Sequence, residues 1–217
     1  MNGPTALSRI VIYGTGGMAQ VLHALLQDDS TRNVIAFTVE RQYISAETLF
    51  GLPVFPFEDI VSHCPPEGCA MLVAVGQVDR NRVRARISAA ARGLGYEIAS
   101  YIDPLVRRHA STRIGQGCLI FDGVSLQPHV TIGDNVVIRP LAYIGHHARI
   151  EDYCFIAPHA TLLGFCRIGA FSFIGAHATI SNRVALGERG IVGAGAVVLA
   201  NIPADRVVRG PGATKIK

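Results

Sequence analysis

The stretch Ile132-Gly-Asp-Asn-Val-Val-Ile138-Arg-Pro-Leu-Ala-Tyr-Ile144-Gly-His-His-Ala-Arg-Ile150 decides the fold, because an aliphatic residue returns in it at every sixth position. The beat extends outward in both directions. Ile114, Ile120 and Leu126 precede it, and Ile156, Leu162, Ile168, Ile174, Ile180, Leu186, Val192 and Val198 follow. Two residues before each aliphatic stands a second constrained position, small or β-branched throughout, from Cys118 and Val124 to Gly190 and Ala196. A period of six is neither the helical 3.6 nor a loose two-residue alternation, and it is the signature of a parallel β-helix. Three hexads close one triangular coil of eighteen residues, so this run predicts about five coils with a ladder of aliphatic and small side chains inside. A sandwich of short strands would place its turns every ~8–12 residues and would not hold one register for so long. Glycine often follows the aliphatic residue, at Gly115, Gly133, Gly145, Gly169, Gly175, Gly187 and Gly193, where corners between short strands are expected to need permissive backbone angles.

Upstream of the array the pattern changes to alternating strands and helices. Arg9-Ile-Val-Ile-Tyr13 reads as a buried strand running into Gly14-Thr-Gly16-Gly17, and Met18 to Leu26 has helical apolar spacing. A strand, a glycine turn and a helix N-terminus form a potential anion site, because unpaired N–H groups face outward there. Asn33 to Val39 is a second strand, Leu52 to Phe55 with Pro56 to His63 a short strand and helix, Ala70 to Val75 a third parallel strand ending at Gly76, Arg80 to Gly93 an amphipathic helix, and Tyr96 to Tyr101 another strand. The expectation is an α/β Rossmann-like domain over residues 1–104 and a left-handed parallel β-helix with a C-terminal tail over residues 105–217. Asp205 to Lys217 is expected to fold back across the last coil.

Composition narrows the function classes. With 49% hydrophobic and 17% charged residues the 217-residue chain reads as globular, and its formal charge of +4 comes without the basic stripe and interleaved aromatics of a nucleic-acid binder. The first seven residues lack signal-peptide character and no apolar run approaches the ~20 residues that span a membrane. The expected location is the cytoplasm. Five cysteines without CxxC spacing argue against a disulfide framework and a zinc site; Cys118, Cys154 and Cys166 share the inward small position and read as core.

The hexads, the segment Ile144-Gly-His-His-Ala148 and the terminal Arg209-Gly-Pro-Gly-Ala-Thr-Lys215 together resemble the left-handed β-helix acyltransferases. The whole chain is similar to the sugar acyltransferases of the sialic acid O-acetyltransferase and bacillosamine-type N-acetyltransferase group. That resemblance implies a homotrimer, acetyl-CoA as co-substrate and no metal. It also implies a sugar acceptor, nucleotide-linked, with the nucleotide held by Gly14, Gly16, Gly17 and Glu40. The family often has paired aspartates after the second strand, whereas here Val39-Glu40-Arg41 stands.

Histidines carry the chemistry. His129 and His147 are eighteen apart, as are His159 and His177, so each pair is expected to stack on one corner. His146 stands elsewhere in its hexad, with Pro128 and Gly164 one coil away, small neighbours that are expected to leave room for a ligand. In the resembling enzymes the catalytic base occupies the position of His146, and an acid usually follows it; this chain has His147 instead. Either another group, such as Glu151, Asp152 or a backbone carbonyl, orients His146, or His147 is itself the base. Imidazole suits acyl transfer from a thioester because its pKa lies near the working pH. In some relatives a second histidine nine residues on contacts substrate; that position is Phe155 here, with His159 as the nearby substitute. The acyl-CoA of the resembling trimers lies between two β-helices, which points to Gly164, Ala176, His177 and Gly195.

Two other classes fit a β-helix. A metal-dependent hydratase of the γ-carbonic-anhydrase type usually places two ligands five residues apart on one coil, and no two histidines here have that spacing. A binding or scaffold module would use the β-helix only as a rigid rod.

Overall fold

The computed structural model describes residues 8–29 and 31–210. These divide into two compact units: one holds the chain up to Val78 together with Val83–Ala99, the other Asp79–Arg82 and the chain from Ser100 onward.

The first unit is built on a parallel sheet. Its strands are β1 (Ser8–Tyr13), β2 (Arg32–Val39), β3 (Thr48–Leu49), β4 (Leu52–Pro56) and β5 (Ala70–Val73), in the order β3-β4-β2-β1-β5, with only the β3–β4 hairpin antiparallel. The near-continuous apolar runs of β1 and β5 suit strands covered on both faces; Val11, Ile12, Met71, Leu72 and Val73 are fully buried. Helix α1 (Gly17–Gln27) connects β1 to β2 and buries Ala19, Leu22 and Leu26 at helical spacing. The segment after β4 is mostly a tight 3₁₀ turn followed by the single-turn α2 (Ile60–His63). Helix α3 (Arg82–Gly93) packs through Ile87 and Ala91, and its fully buried Arg84 donates to the carbonyls of Val73 and Val75, where β5 ends.

The second unit is the predicted β-helix, in which two-residue strands stack into three parallel sheets of seven, six and five strands. Up to Val198 each strand pairs with those eighteen residues away, as Ile132 with Ile150, Ile138 with Ile156 and Ile144 with Leu162. The aliphatic and small positions converge inside: Ile120, Ile138, Ile144, Ile156, Leu162 and Ile168 have no solvent exposure, and Cys118, Ala148, Cys154 and Cys166 lie among them. Burial pushes the Cys154 and Cys166 thiols up to about 12, consistent with inert core residues.

The array is longer than five coils. It begins at Tyr101–Ile102, paired with Leu119–Ile120, so the expected last strand of the first domain supplies only a single bridge, Ile98 to Met71, before the chain enters the β-helix. At the far end Leu186 bridges Ile202 and Val192 pairs with Val208. That coil is two residues short, which is why the six-beat fails after Val198 while stacking continues. The part of the expected tail beyond Gly210, including Lys215, lies outside the described residues.

Glycine's role at the corners differs from the expectation. Gly145, Gly169 and Gly175 have ordinary backbone angles; the left-handed residue falls two positions later, at His147 (φ 59°), Phe171 (φ 58°) and His177 (φ 56°). Glycine is needed instead because the next coil lies against it: a Cβ on Gly145 would meet the nitrogen of Gly164 at 2.6 Å, and one on Gly175 the nitrogen of Ala194 at 2.4 Å. Close backbone approach selects the residue there.

Candidate active site

His146 and His147 form one corner of the β-helix. The amide of Ala148 donates to the carbonyl of Gly145 (3.1 Å), and φ is positive at His147, as a type II turn requires. A left-handed conformation costs a non-glycine residue roughly 1–2 kcal/mol. Stacking offsets part of it: His147 lies 4.6 Å from the ring of His129 and 4.7 Å from that of Phe165, and Arg183 covers Phe165 at 5.0 Å. His129, His147, Phe165 and Arg183 therefore make one outward column, each eighteen residues from the next. The expected pairing of His159 with His177 holds too, with rings 4.6 Å apart on another corner.

His146 does not join the column. Its Nδ1 is 3.2 Å from Nδ1 of His147, and its ring meets those of His147 and Phe165 edge-on. One nitrogen of the pair must donate and the other accept. When His146 donates, its Nε2 keeps a free lone pair. Burial, followed by the proximity of His129 and His146, holds the His147 imidazole below the usual histidine range, which favours the neutral acceptor this arrangement needs. The carboxylates considered as alternative orienting groups are engaged elsewhere: Glu151 accepts from the amide of Ala170 and Asp152 from that of Asp134.

The room expected beside Gly164 is taken by the histidine itself. A Cβ on Gly164 would lie 2.8 Å from Nε2 of His146 and 2.9 Å from its Cε1, so glycine is what lets the imidazole lean along the corner. The same point lies 3.3 Å from Oδ1 of Asn182. The imidazole and this amide thus approach the same point over Gly164 from the coils on either side of it. Sequence reasoning passed over Asn182, Phe165 and Arg183, although their spacing from His146 and His147 in multiples of eighteen was there to be read.

The other predicted residues fall in two further places. Ala176, His177, Gly195 and His159 occupy the corner at the opposite edge of the face carrying Tyr143, Thr161 and Thr179. A strand and its flanks between two corners span roughly 10–15 Å. One chain does not bring these residues to His146; only Gly164 lies beside it.

Gly14, Gly16, Gly17 and Glu40 cluster in the first unit at the C-terminal ends of β1 and β2. Gly14 (φ 115°) approaches β5 so closely that a Cβ would sit 3.1 Å from the carbonyl oxygen of Ala74, whereas Gly16 and Gly17 have open space around them. Glu40 accepts from the Tyr13 hydroxyl through Oε2 and from Arg86 through Oε1 at 2.7 Å. Burial would raise its carboxyl, but those two donors win and hold it below the usual range. The same burial, with Glu40 beside it, pushes the Tyr13 hydroxyl well above the ordinary phenol range. Each carboxylate oxygen still has a lone pair for a ligand hydroxyl.

No group of three or more His, Cys, Asp or Glu placed to hold a metal ion occurs among the described residues, and none of their helices is long and apolar enough to cross a membrane.

The stacked hexad array joined to a glycine-turn α/β unit is a left-handed β-helix architecture, and its structural neighbours support an acyltransferase. Residues 9–91 match the PglD N-terminal domain family and residues 111–146 the bacterial transferase hexapeptide (six repeats) family. Among solved structures the chain is similar to the acetyltransferase domain of PglB from Neisseria gonorrhoeae in complex with acetyl coenzyme A, at 27% identity and TM-score 0.84 over 94% of this chain and 97% of that one. It is also similar to a His-to-Asn variant of perosamine N-acetyltransferase from Caulobacter crescentus in complex with CoA and GDP-perosamine (28% identity, TM-score 0.84, 94% and 95% covered). WeeI from Acinetobacter baumannii matches at 25% identity and TM-score 0.81 over 94% of this chain and 97% of that one. A search of curated protein sequences found no match.

Proposed function

We propose that the chain transfers an acetyl group from acetyl-CoA to an amino or hydroxyl group of a sugar carried on a nucleotide, with His146 as general base and no acyl-enzyme. The observation that carries this reading is the geometry of His146. Its Nδ1 is engaged by His147, and its Nε2 lies over Gly164, in a chain similar over 94% of its length to acetyltransferases bound to acetyl-CoA or to CoA and GDP-perosamine. As the acceptor nitrogen or oxygen attacks the thioester carbonyl, Nε2 takes its proton and Nδ1–H donates to His147. Collapse of the tetrahedral intermediate expels the CoA thiolate, which takes the proton back from the imidazolium. General-base assistance of this kind contributes about 10²- to 10⁴-fold. Asn182, across the same space, is suited to hold the acceptor group in line.

His147 is less suited to be the base. Its ring faces are covered by His129 and Phe165, and its Nδ1 is used by His146. The separation of His146 from Ala176, His177, Gly195 and His159 supports a homotrimer, in which the corner of one copy faces the opposite corner of the next and acetyl-CoA lies between them. Gly14, Gly16, Gly17 and Glu40 then hold the nucleotide. The setting is cytoplasmic, in polysaccharide or glycan precursor synthesis.

The test is a thiol-release assay with acetyl-CoA and a panel of nucleotide-linked amino and hydroxy sugars. Acceptor-dependent release that is lost in His146→Ala supports the reading. Release that persists unchanged in that variant, or is absent with every acceptor, overturns it.

A further inference from the structure

The three faces of the β-helix differ in what they turn outward. One carries Leu119 and Val137, both buried, and the partly exposed Phe155, Phe173 and Ile191, a second Ser125, Tyr143, Thr161 and Thr179. The third presents Arg113, Thr131, Arg149 and Arg167. Arg149 and Arg167 are register partners on neighbouring strands, about 4.8 Å apart along the stack. Like charges directly opposite each other destabilise a sheet, and a guanidinium keeps its charge at any working pH.

Nothing among the described residues neutralises them. Arg149, Arg167 and Arg183 make no ion pair among the described residues, whereas Arg32, Arg41, Arg86 and Arg189 each meet a carboxylate. Arg189, one corner away, shows the alternative: Nε and Nη2 fork onto Asp205 at 2.7 and 2.8 Å. The three unpaired arginines instead line a cavity of about 590 Å³ together with His129, His147 and Phe165, and no carboxylate lines it. Four rungs, from His129 to Ala185, border the cavity, a length of roughly 14 Å at the strand spacing. That is ample for a diphosphate.

We infer that the face of Arg149 and Arg167, with Arg183 at its corner, is a phosphate-binding site that takes the phosphate groups of one of the two substrates beside the His146–His147 pair. The inference rests on the acyl-CoA and nucleotide-sugar reading above. Arginine suits the role because its planar fork matches phosphate oxygens in pairs. The ligand is an organic diphosphate or phosphomonoester, carried either by CoA or by the sugar nucleotide. A phosphate held on this face neutralises a charge cluster that the fold otherwise leaves unopposed, next to the imidazole that takes the proton.

Calorimetric binding to the full chain and to Arg149→Ala/Arg167→Ala and Arg183→Ala variants tests this, with CoA, dephospho-CoA, UDP, GDP and inorganic pyrophosphate as probes. The expected result is at least about tenfold weaker binding of either CoA or a nucleoside diphosphate, with a loss that shrinks at high salt. A loss confined to CoA assigns the site to the co-substrate, and equal affinity for CoA and dephospho-CoA then places the pyrophosphate there and not the 3′-phosphate. A loss confined to a nucleoside diphosphate assigns it to the acceptor. Unchanged affinity for every probe in folded variants overturns the inference, as does a fall in oligomeric mass with unchanged affinity, which would mean that carboxylates of a neighbouring copy cover the face. Pyrophosphate separates the two readings: if wild type binds neither CoA nor nucleotide, the proposed function fails, while pyrophosphate binding that is lost in the variants still supports the site.

Discussion

Inside and outside of the β-helix follow different rules on the same two-residue strands. At Thr161–Leu162, the leucine is fully buried in the ladder and the threonine half-exposed on a face; at Arg167–Ile168 the isoleucine is buried and the arginine exposed. Inner positions are interchangeable from coil to coil because each meets the same surroundings one rung above and below. Outer positions share no such constraint, so the three faces diverge into apolar, hydroxylated and basic surfaces. Regular stacking fixes a scaffold, and the irregular outer residues, His146 and Asn182 among them, carry the chemistry.

The largest expected effect that breaks the comparison comes from an outer residue. His146→Ala should lower kcat by about 10²- to 10⁴-fold while leaving the thermal midpoint nearly unchanged, as steady-state kinetics beside calorimetry would show. An inner residue should do the reverse: Leu162→Ala should destabilise the β-helix by about 2–5 kcal/mol, against within about 0.5 kcal/mol for Thr161→Ala on the same strand, measured by denaturant unfolding. Between these lies the corner glycine. Gly145→Ala forces a Cβ to 2.6 Å from the Gly164 nitrogen and should cost about 1–3 kcal/mol with partial loss of activity, because the corner carrying His146 must shift.

The smallest effect concerns pH. His147 is held below the usual histidine range, so it stays neutral until pH falls under about 6.5, the ordinary histidine value. Its contribution to stability is present above that value and is lost as pH falls through its lowered pKa, because protonation removes the lone pair with which its Nδ1 accepts from Nδ1 of His146, 3.2 Å away. Activity should decline over the same acid range. His147→Asp replaces the neutral partner with a carboxylate that favours the imidazolium, so the acid limb of the kcat/KM profile should move to higher pH by about one unit. An unmoved limb would remove His147 from its orienting role.

Much of the scaffold was legible from spacing alone. The hexads placed every inner residue from Ile114 to Val198, and eighteen-residue separations foretold both histidine stacks. The extra coils at each end were not legible, because Arg108 interrupts the beat before Ile114 and the coil after Val198 drops two residues. The corner glycines were located correctly but for the wrong reason, since contact with the next coil appears only in three dimensions. The same holds for Glu40, whose locking by Tyr13 and Arg86 joins residues remote along the chain.

By itself the sequence determined the β-helix, its register and the rank of His146 as an outward corner residue, because a repeat of six converts distance along the chain into position on a coil. Only the tertiary structure decided what His146 touches: the Nδ1 of His147 on one side, and the space over Gly164 bordered by Asn182 on the other. Only it revealed three arginines that share one cavity and have no counter-charge among the described residues. Such contacts depend on rotamers and on the slight lean of rings along a corner, which a periodic pattern leaves free.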